Sequence, residues 1–338
     1  MRELEKNELN SLFHNYLVAE LLENGAVRFH RFSEQQKKQY YYDSLKTGKD
    51  YVLRTMASSN IILDCITNSE VLGIQYLWNP ATGHDEAVFD FYVDGVLYGY
   101  HETTEKDEGI LAFDIPQGEH RITLFFPWQV IVDIKSIILS EGAYVKEIRR
   151  NRRILVFGDS ISQGYICRHP SLSYTGYITR KLDAECLNQA IGGYWFEKNS
   201  LDEKLQFWEP DCIITAYGTN DYFLYDTREE FSSGIREYMQ KLCDIFPQTP
   251  ILGIMPIPRF DEPYLAKQKI TDFSLKDSYD IIRETYDNYP TVSILEDCFF
   301  PRHPDFFASD LIHPNDLGFQ IYGEAVSSKI QEVLTNYP

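Results

Sequence analysis

The stretch "RILVFGDSISQGY", Arg153 to Tyr165, decides how the second half of the chain is read. An apolar run of strand length stops at Gly158 and passes at once into Asp159-Ser160. Near-continuous apolar character suits a strand buried on both faces, as in a parallel sheet. Four more such runs follow: "ECLNQAIG" from Glu185, "CIITAYG" from Cys212, "PILGIMPI" from Pro250 and "VSILED" from Val292. Helical stretches lie between and after them, at roughly 174–183, 230–246, 272–288 and 316–335. Strands alternating with helices predict an α/β domain over residues 151–338, its parallel sheet covered on both faces. In such folds chemistry gathers at the carboxyl ends of the strands.

Residues 1–150 read differently. "VFDFYVDGVLYGY" (Val88–Tyr100) holds two apolar runs around Asp94-Gly95, a strong hairpin signal. "GILAFDIPQGEHRITLFFP" repeats the pattern around Pro116-Gln117-Gly118, and "NIILDCIT", "EVLGIQYLW" and "VIVDIKSIIL" add further strands. Short strands punctuated by turn residues predict an antiparallel β-sandwich. Only "ELNSLFHNYLVAELLENG" reads as a leading helix, closed by Gly25.

Composition narrows the function. The chain has 338 residues and a formal net charge of −19, which argues against nucleic acid and anionic membrane surfaces as partners. The basic run Arg149-Arg150-Asn151-Arg152-Arg153 reads as a solvated linker at the domain join. No secretion-signal pattern and no apolar run of transmembrane length is visible. With six widely spaced cysteines, this predicts a cytoplasmic protein with free, buried thiols. There is no HExxH, no CxxC and no phosphate-binding glycine loop, so neither a metal nor a nucleotide cofactor is expected.

Four sites carry chemistry-bearing residues: Gly158-Asp159-Ser160, Asn188 to Gly193, Gly218 to Asp221, and Asp310 to Pro314. A serine hydroxyl needs a base to become a nucleophile, and the base needs an orienting partner. Of the histidines in this half that precede prolines (His169, His303 and His313), only His313 has a carboxylate three residues upstream. Asp310 can therefore hold Nδ1 while Nε2 takes the Ser160 proton. Acyl transfer also builds charge on a carbonyl oxygen, which wants preorganised donors. The N–H of Gly193, the amide of Asn220 and the N–H of Ser160 itself are the candidates. Each site alone is an ordinary turn or helix cap; what joins them is placement at successive strand ends and before the last helix.

These residues resemble the SGNH hydrolases, the GDSL-type esterases and lipases. The likeness runs from Arg153 to Pro338 through four blocks in the family's order: "FGDSISQG", "NQAIGG", "YGTND" and "DLIHPND". It implies a flavodoxin-like three-layer domain with Ser160 as nucleophile, His313 as base and Asp310 as its acid. Ser160, Gly193 and Asn220 would form the oxyanion hole, with Gly192 the competing glycine. A β-sandwich (jelly-roll-like) ahead of such a domain is similar to the family 2 carbohydrate esterases. That likeness implies O-acetyl esters on carbohydrate as substrates, with no cofactor.

Tyr194 and Trp195, just after Gly193, and Tyr222, just after Asp221, are the candidate substrate-binding residues; Tyr165 can also rim the site. A tryptophan at such a position either stacks on a sugar or packs in the core. Trp78 and Trp128 belong to the sandwich as core or domain-interface residues. Two alternatives stand beside the sugar deacetylase: esterase, thioesterase or acyltransferase action on another short acyl group, and a non-catalytic carbohydrate-binding protein. Whether the sandwich binds sugar, walls the cleft or pairs two copies as a homo-oligomer is left open by the residues.

Overall fold

In the computed structural model, which describes residues 1–261 and 272–337, the five apolar runs form one parallel sheet. Its strands are Arg153–Gly158, Glu185–Ala190, Cys212–Ala216, Ile251–Ile254 and Val292–Leu295. Across the sheet they lie in the order second, first, third, fourth, fifth. The order reverses between the first and third strands, and a crevice opens above such a point at the carboxyl ends. The pleat sorts the core. Ile154 and Val156 face Ile178, Phe319, Tyr322 and Val326. Leu155 and Phe157 face the opposite layer with Phe231, Ile235, Ile282 and Tyr286. Helices Tyr174–Lys181 and Asp316–Asn336 therefore cover one face, and Arg228–Ile245 and Leu275–Asp287 the other.

Upstream, two six-stranded antiparallel sheets form the expected sandwich. Trp78, Phe89, Phe91, Leu124 and Ile134 are buried between them. Asp94 and Gly95 turn the predicted hairpin with φ of 50° and 77°, the geometry whose twist suits the flanking strands. The runs around Pro116-Gln117-Gly118 are not a hairpin. Asp107–Asp114 pairs with Val71–Pro80 in one sheet, and His120–Phe125 pairs with Ile62–Thr67 and Ala87–Val93 in the other. The loop bridges the sheets.

Three other expectations are corrected. The leading helix covers only Lys6–Leu12, because Phe13-His14 pairs with Leu63-Ile62 and the Phe13 ring stacks on Phe29 at 4.1 Å. Val18–Leu21, inside the same stretch, is a strand. Two helices stand where strands alone were expected, Glu34–Thr47 and Tyr51–Thr55. Ser33 and Gln36 form a reciprocal capping box at the first, and Gly48 ends it with φ of 71°. Their Tyr40 and Tyr51 enter the core of the parallel domain, not that of the sandwich.

Of the basic run expected to be a solvated linker, Arg149, Asn151 and Arg152 are exposed, but Arg150 is not. The Arg150 side chain is 2% exposed, 2.6 Å from Asp64 of the sandwich and 3.1 Å from Asp183 of the parallel domain. All six cysteines are free, but Cys243 is half-buried and Cys298 exposed. Among the described residues no helix is long and apolar enough to cross a membrane.

Candidate active site

The first strand ends at Asp159, whose carboxylate accepts the Ile161 N–H at 3.0 Å and starts a single helical turn, Ser160–Gln163. Gly164, with φ of 101°, closes that turn. A side chain at Gly158 would run into Ser162, so the strand can tuck under the turn only with glycine there. The Ser160 hydroxyl is left at the crevice between the first and third strands.

His313 arrives from a loop just before the last helix. Its Nε2 lies 2.7 Å from Ser160 Oγ, and its Nδ1 lies 2.5 Å from Asp310 Oδ2. Leu311 makes the tight turn possible at φ of 61°, and Asp310 Oδ1 accepts the N–H groups of Ile312 and His313 at 3.0 and 3.1 Å. Partial burial works against charge on Asp310, but the His313 ring and these donors outweigh it and hold the carboxyl down at about 2. With Nδ1 engaged by a carboxylate, Nε2 is the nitrogen free to exchange a proton with Ser160.

The two glycines after the second strand are distinguished by their hydrogen bonds. The Gly192 N–H donates to Gln163 Oε1 at 2.7 Å. Gly193 takes φ of 79°, and its N–H has no acceptor among the described residues. Its carbonyl accepts from the Tyr51 hydroxyl at 3.1 Å. Asn220 spends one amide hydrogen on the Tyr194 carbonyl at 3.1 Å and keeps the other. Asp221 ties the loops together, accepting the Phe196 N–H at 3.0 Å and the Gly218 N–H at 2.9 Å. Burial pushes the Asp221 carboxyl up to about 7 and that of Asp159 up to about 6.

The aromatic residues divide differently from expectation. Tyr194 is fully buried, wedged edge-on to Tyr40 and Tyr51, with its hydroxyl on Asp43 at 2.7 Å. Trp195 packs on Tyr51 and Tyr194, and Tyr222 against Phe223 and Phe273. All three pack into the core beneath the site, Tyr194 and Trp195 because the left-handed turn at Gly193 sends the chain back into the domain, and Tyr222 from the short helix that follows Asn220. The rings at the site are others. Tyr165 stacks on His313 at 5.7 Å and touches Trp128 and His84. Trp128 and His84 come from the sandwich, so both halves of the chain contribute rings beside the Ser160–His313–Asp310 cluster; Trp128 sits at the domain interface, donating to the Cys167 carbonyl at 2.7 Å.

Two supporting residues carry no local sequence signal of their role. Gln163 lies inside the serine block, but its acceptor function is visible only once Gly192 is placed. Arg31, fully buried, donates to the Asn188 and Ala190 carbonyls at the end of the second strand and to Ala57 and Arg54. His169, which has no carboxylate three residues upstream, instead pairs with Asp90 of the sandwich at 2.7 Å.

Residues 156–321 match the GDSL-like Lipase/Acylhydrolase family model. No curated protein matches the chain. Solved structures match nearly all of it. A putative GDSL-like lipase from Bacteroides ovatus is 19% identical, with 99% of this chain and 98% of that one covered and a TM-score of 0.79. A salicylyl-acyltransferase of a tetracycline biosynthetic pathway, SsfX3, is 18% identical over 95% of this chain and 94% of that one, with a TM-score of 0.74. A family two carbohydrate esterase from Cellvibrio japonicus is 16% identical over 97% and 96%, with a TM-score of 0.67. At these identities the likeness shows a shared two-part fold.

Proposed function

Starting from a C-terminal domain that belongs to the GDSL-like lipase/acylhydrolase family and is a serine hydrolase of the SGNH type, we propose that the chain removes short acyl groups, chiefly O-acetyl, from carbohydrate. Ser160 Oγ attacks the ester carbonyl while its proton passes to His313 Nε2, and Asp310 steadies the imidazolium that forms. The N–H groups of Ser160 and Gly193 and the free amide hydrogen of Asn220 hold the oxyanion. Collapse expels the alcohol, which takes the proton from His313. Water, deprotonated by the same nitrogen, then releases the acid from Ser160 and regenerates the hydroxyl.

The observation that carries this reading is the pair of contacts at the two nitrogens of His313: 2.7 Å to Ser160 and 2.5 Å to Asp310. The half-buried rings of Tyr165 and His84 beside the triad are the kind of surface on which a sugar stacks, and the likeness to a carbohydrate esterase supports the same substrate class. The first test compares p-nitrophenyl acetate hydrolysis by the wild type and Ser160→Ala. A folded wild type no faster than the variant ends the esterase reading. Acetate release from acetylated xylo- or gluco-oligosaccharides then tests the sugar. Likeness to an acyltransferase favours a second reading, transfer to an alcohol instead of water; an added alcohol acceptor that captures most of the acyl group would establish it.

A further inference from the structure

The Gly192-Gly193 turn lies between two unlike surfaces. On one side is the Tyr165 ring, so close to Gly192 that a Cβ there would overlap it. On the other are two cations from the helix pair in the N-terminal half. A Cβ built on Gly193 would stand 3.1 Å from Lys49 Nζ and 3.3 Å from an Arg54 guanidinium nitrogen. Arg54 also donates to the Gly192 carbonyl, and Tyr51, between them in sequence, donates to that of Gly193.

Neither cation is paired with a carboxylate among the described residues, in a chain whose acidic residues outnumber its basic ones by 51 to 32. Asp50, which could have neutralised them, is turned away to cap its own helix on the Leu53 N–H at 2.8 Å. Burial and the neighbouring Arg54 both push the Lys49 ammonium down from its ordinary value. Holding two like charges together costs free energy, and an arriving anion would recover it. A guanidinium and an ammonium side by side suit a carboxylate, one by its planar fork and the other as a point charge.

We propose that Lys49 and Arg54 form an anion subsite beside the oxyanion hole, so that the preferred ester carries a carboxylate within reach of Gly193. This rests on Gly193 serving as an oxyanion donor in the function proposed above. The carboxylate can belong to the acyl part, as in the half-ester of a dicarboxylic acid, or to the alcohol part, as in an acetylated uronic acid.

Two probe pairs separate these sources: mono-p-nitrophenyl succinate against p-nitrophenyl acetate, and 4-acetoxybenzoate against its methyl ester. The wild type should favour the anionic member of one pair by about fivefold or more in kcat/KM. Added salt should shrink that ratio, Lys49→Gln and Arg54→Gln should bring it toward one, and Lys49→Glu should invert it. A ratio at or below one for both pairs in the wild type overturns the subsite. So does a ratio unmoved in Lys49→Gln, including the case in which that variant slows both members equally. Should no ester be turned over, binding of 4-acetamidobenzoate and of its methyl ester to wild type and Lys49→Gln gives the same comparison without chemistry. An anionic preference lost in the variant would keep the subsite while the esterase reading fell, and no preference in the wild type would overturn the subsite as well.

Discussion

Gln163 Oε1, on the turn after the first strand, accepts the N–H of Gly192, just past the second, at 2.7 Å. That bond satisfies one glycine and leaves the N–H of the next unengaged. Gln163→Leu removes the acceptor but keeps most of the volume. The orphaned N–H will seek another partner and the turn will shift. Loss of one oxyanion donor costs roughly 2.7–4 kcal/mol of transition-state stabilisation. The expected result is kcat lower by about a hundredfold with KM little changed. A variant with wild-type kcat would separate Gln163 from the placement of Gly193.

Asp310 is held at about 2 in the folded chain against an ordinary 3.8. A depressed carboxyl stabilises the fold in full above its unfolded value, and that contribution disappears as pH falls from 3.8 toward 2. Thermal melts of the wild type should therefore drop through this window more steeply than those of Asp310→Asn. The same variant should lower kcat by roughly 10²- to 10⁴-fold, because an amide at Oδ2 favours the wrong imidazole tautomer. Equal slopes in the two melt series would contradict the assigned pairing.

The parallel domain was legible because its strands are buried on both faces, which leaves a continuous apolar signature. The glycine, serine, asparagine and histidine blocks stand out at their ends because those residues interrupt it. The helix Glu34–Thr47 was not legible for the converse reason. Its buried side carries Gln36 and Asp43, which pair with Gln189, Ser200 and Tyr194, so no apolar stripe marks it. "ELNSLFHNYLVAELLENG" shows the opposite error, where apolar spacing that suits a helix is used by short strands pairing in both sheets of the sandwich. Tyr194 and Trp195 misled by adjacency, since a left-handed glycine reverses the chain within one residue. The contacts that bring Arg54 and Arg31 to the strand end span more than 130 residues, which local pattern does not encode.

Asp221 titrates in the other direction. Burial raises its carboxyl to about 7, and its charge repels that of Asp159. A carboxyl raised in the folded state contributes fully below its unfolded value of 3.8, and the contribution is lost as pH climbs through 7. Denaturation midpoints measured at pH 4.5 and 7.5 should fall over that interval more in the wild type than in Asp221→Asn. The asparagine also meets either Phe196 or Gly218 with a donor where an acceptor is required, so its kcat should drop even where it is folded. An unchanged pH slope would mean that Asp221 remains ionised throughout.

Arg31 is fully buried with no carboxylate partner among the described residues, and burial alone pushes its guanidinium down to about 9. Such a charge persists because carbonyl oxygens surround it: Ala57 at 2.9 Å, Ala190 at 3.3 Å, Arg54 at 3.4 Å, and Asn188. Two of these close the strand that leads to Gly193, and a third carries the guanidinium resting on Gly192. Arg31→Met fills similar space but strips four acceptors of their donor, at about 1–3 kcal/mol for each buried group that finds no water. The expected loss is about 3 kcal/mol or more in chemical denaturation, accompanied by a fall in kcat as the strand end relaxes. Arg31→Lys keeps the charge but cannot reach four carbonyls at once, so it should recover only part of either quantity. A methionine variant as stable and as active as the wild type would show that the N-terminal segment leans on the catalytic domain without shaping it.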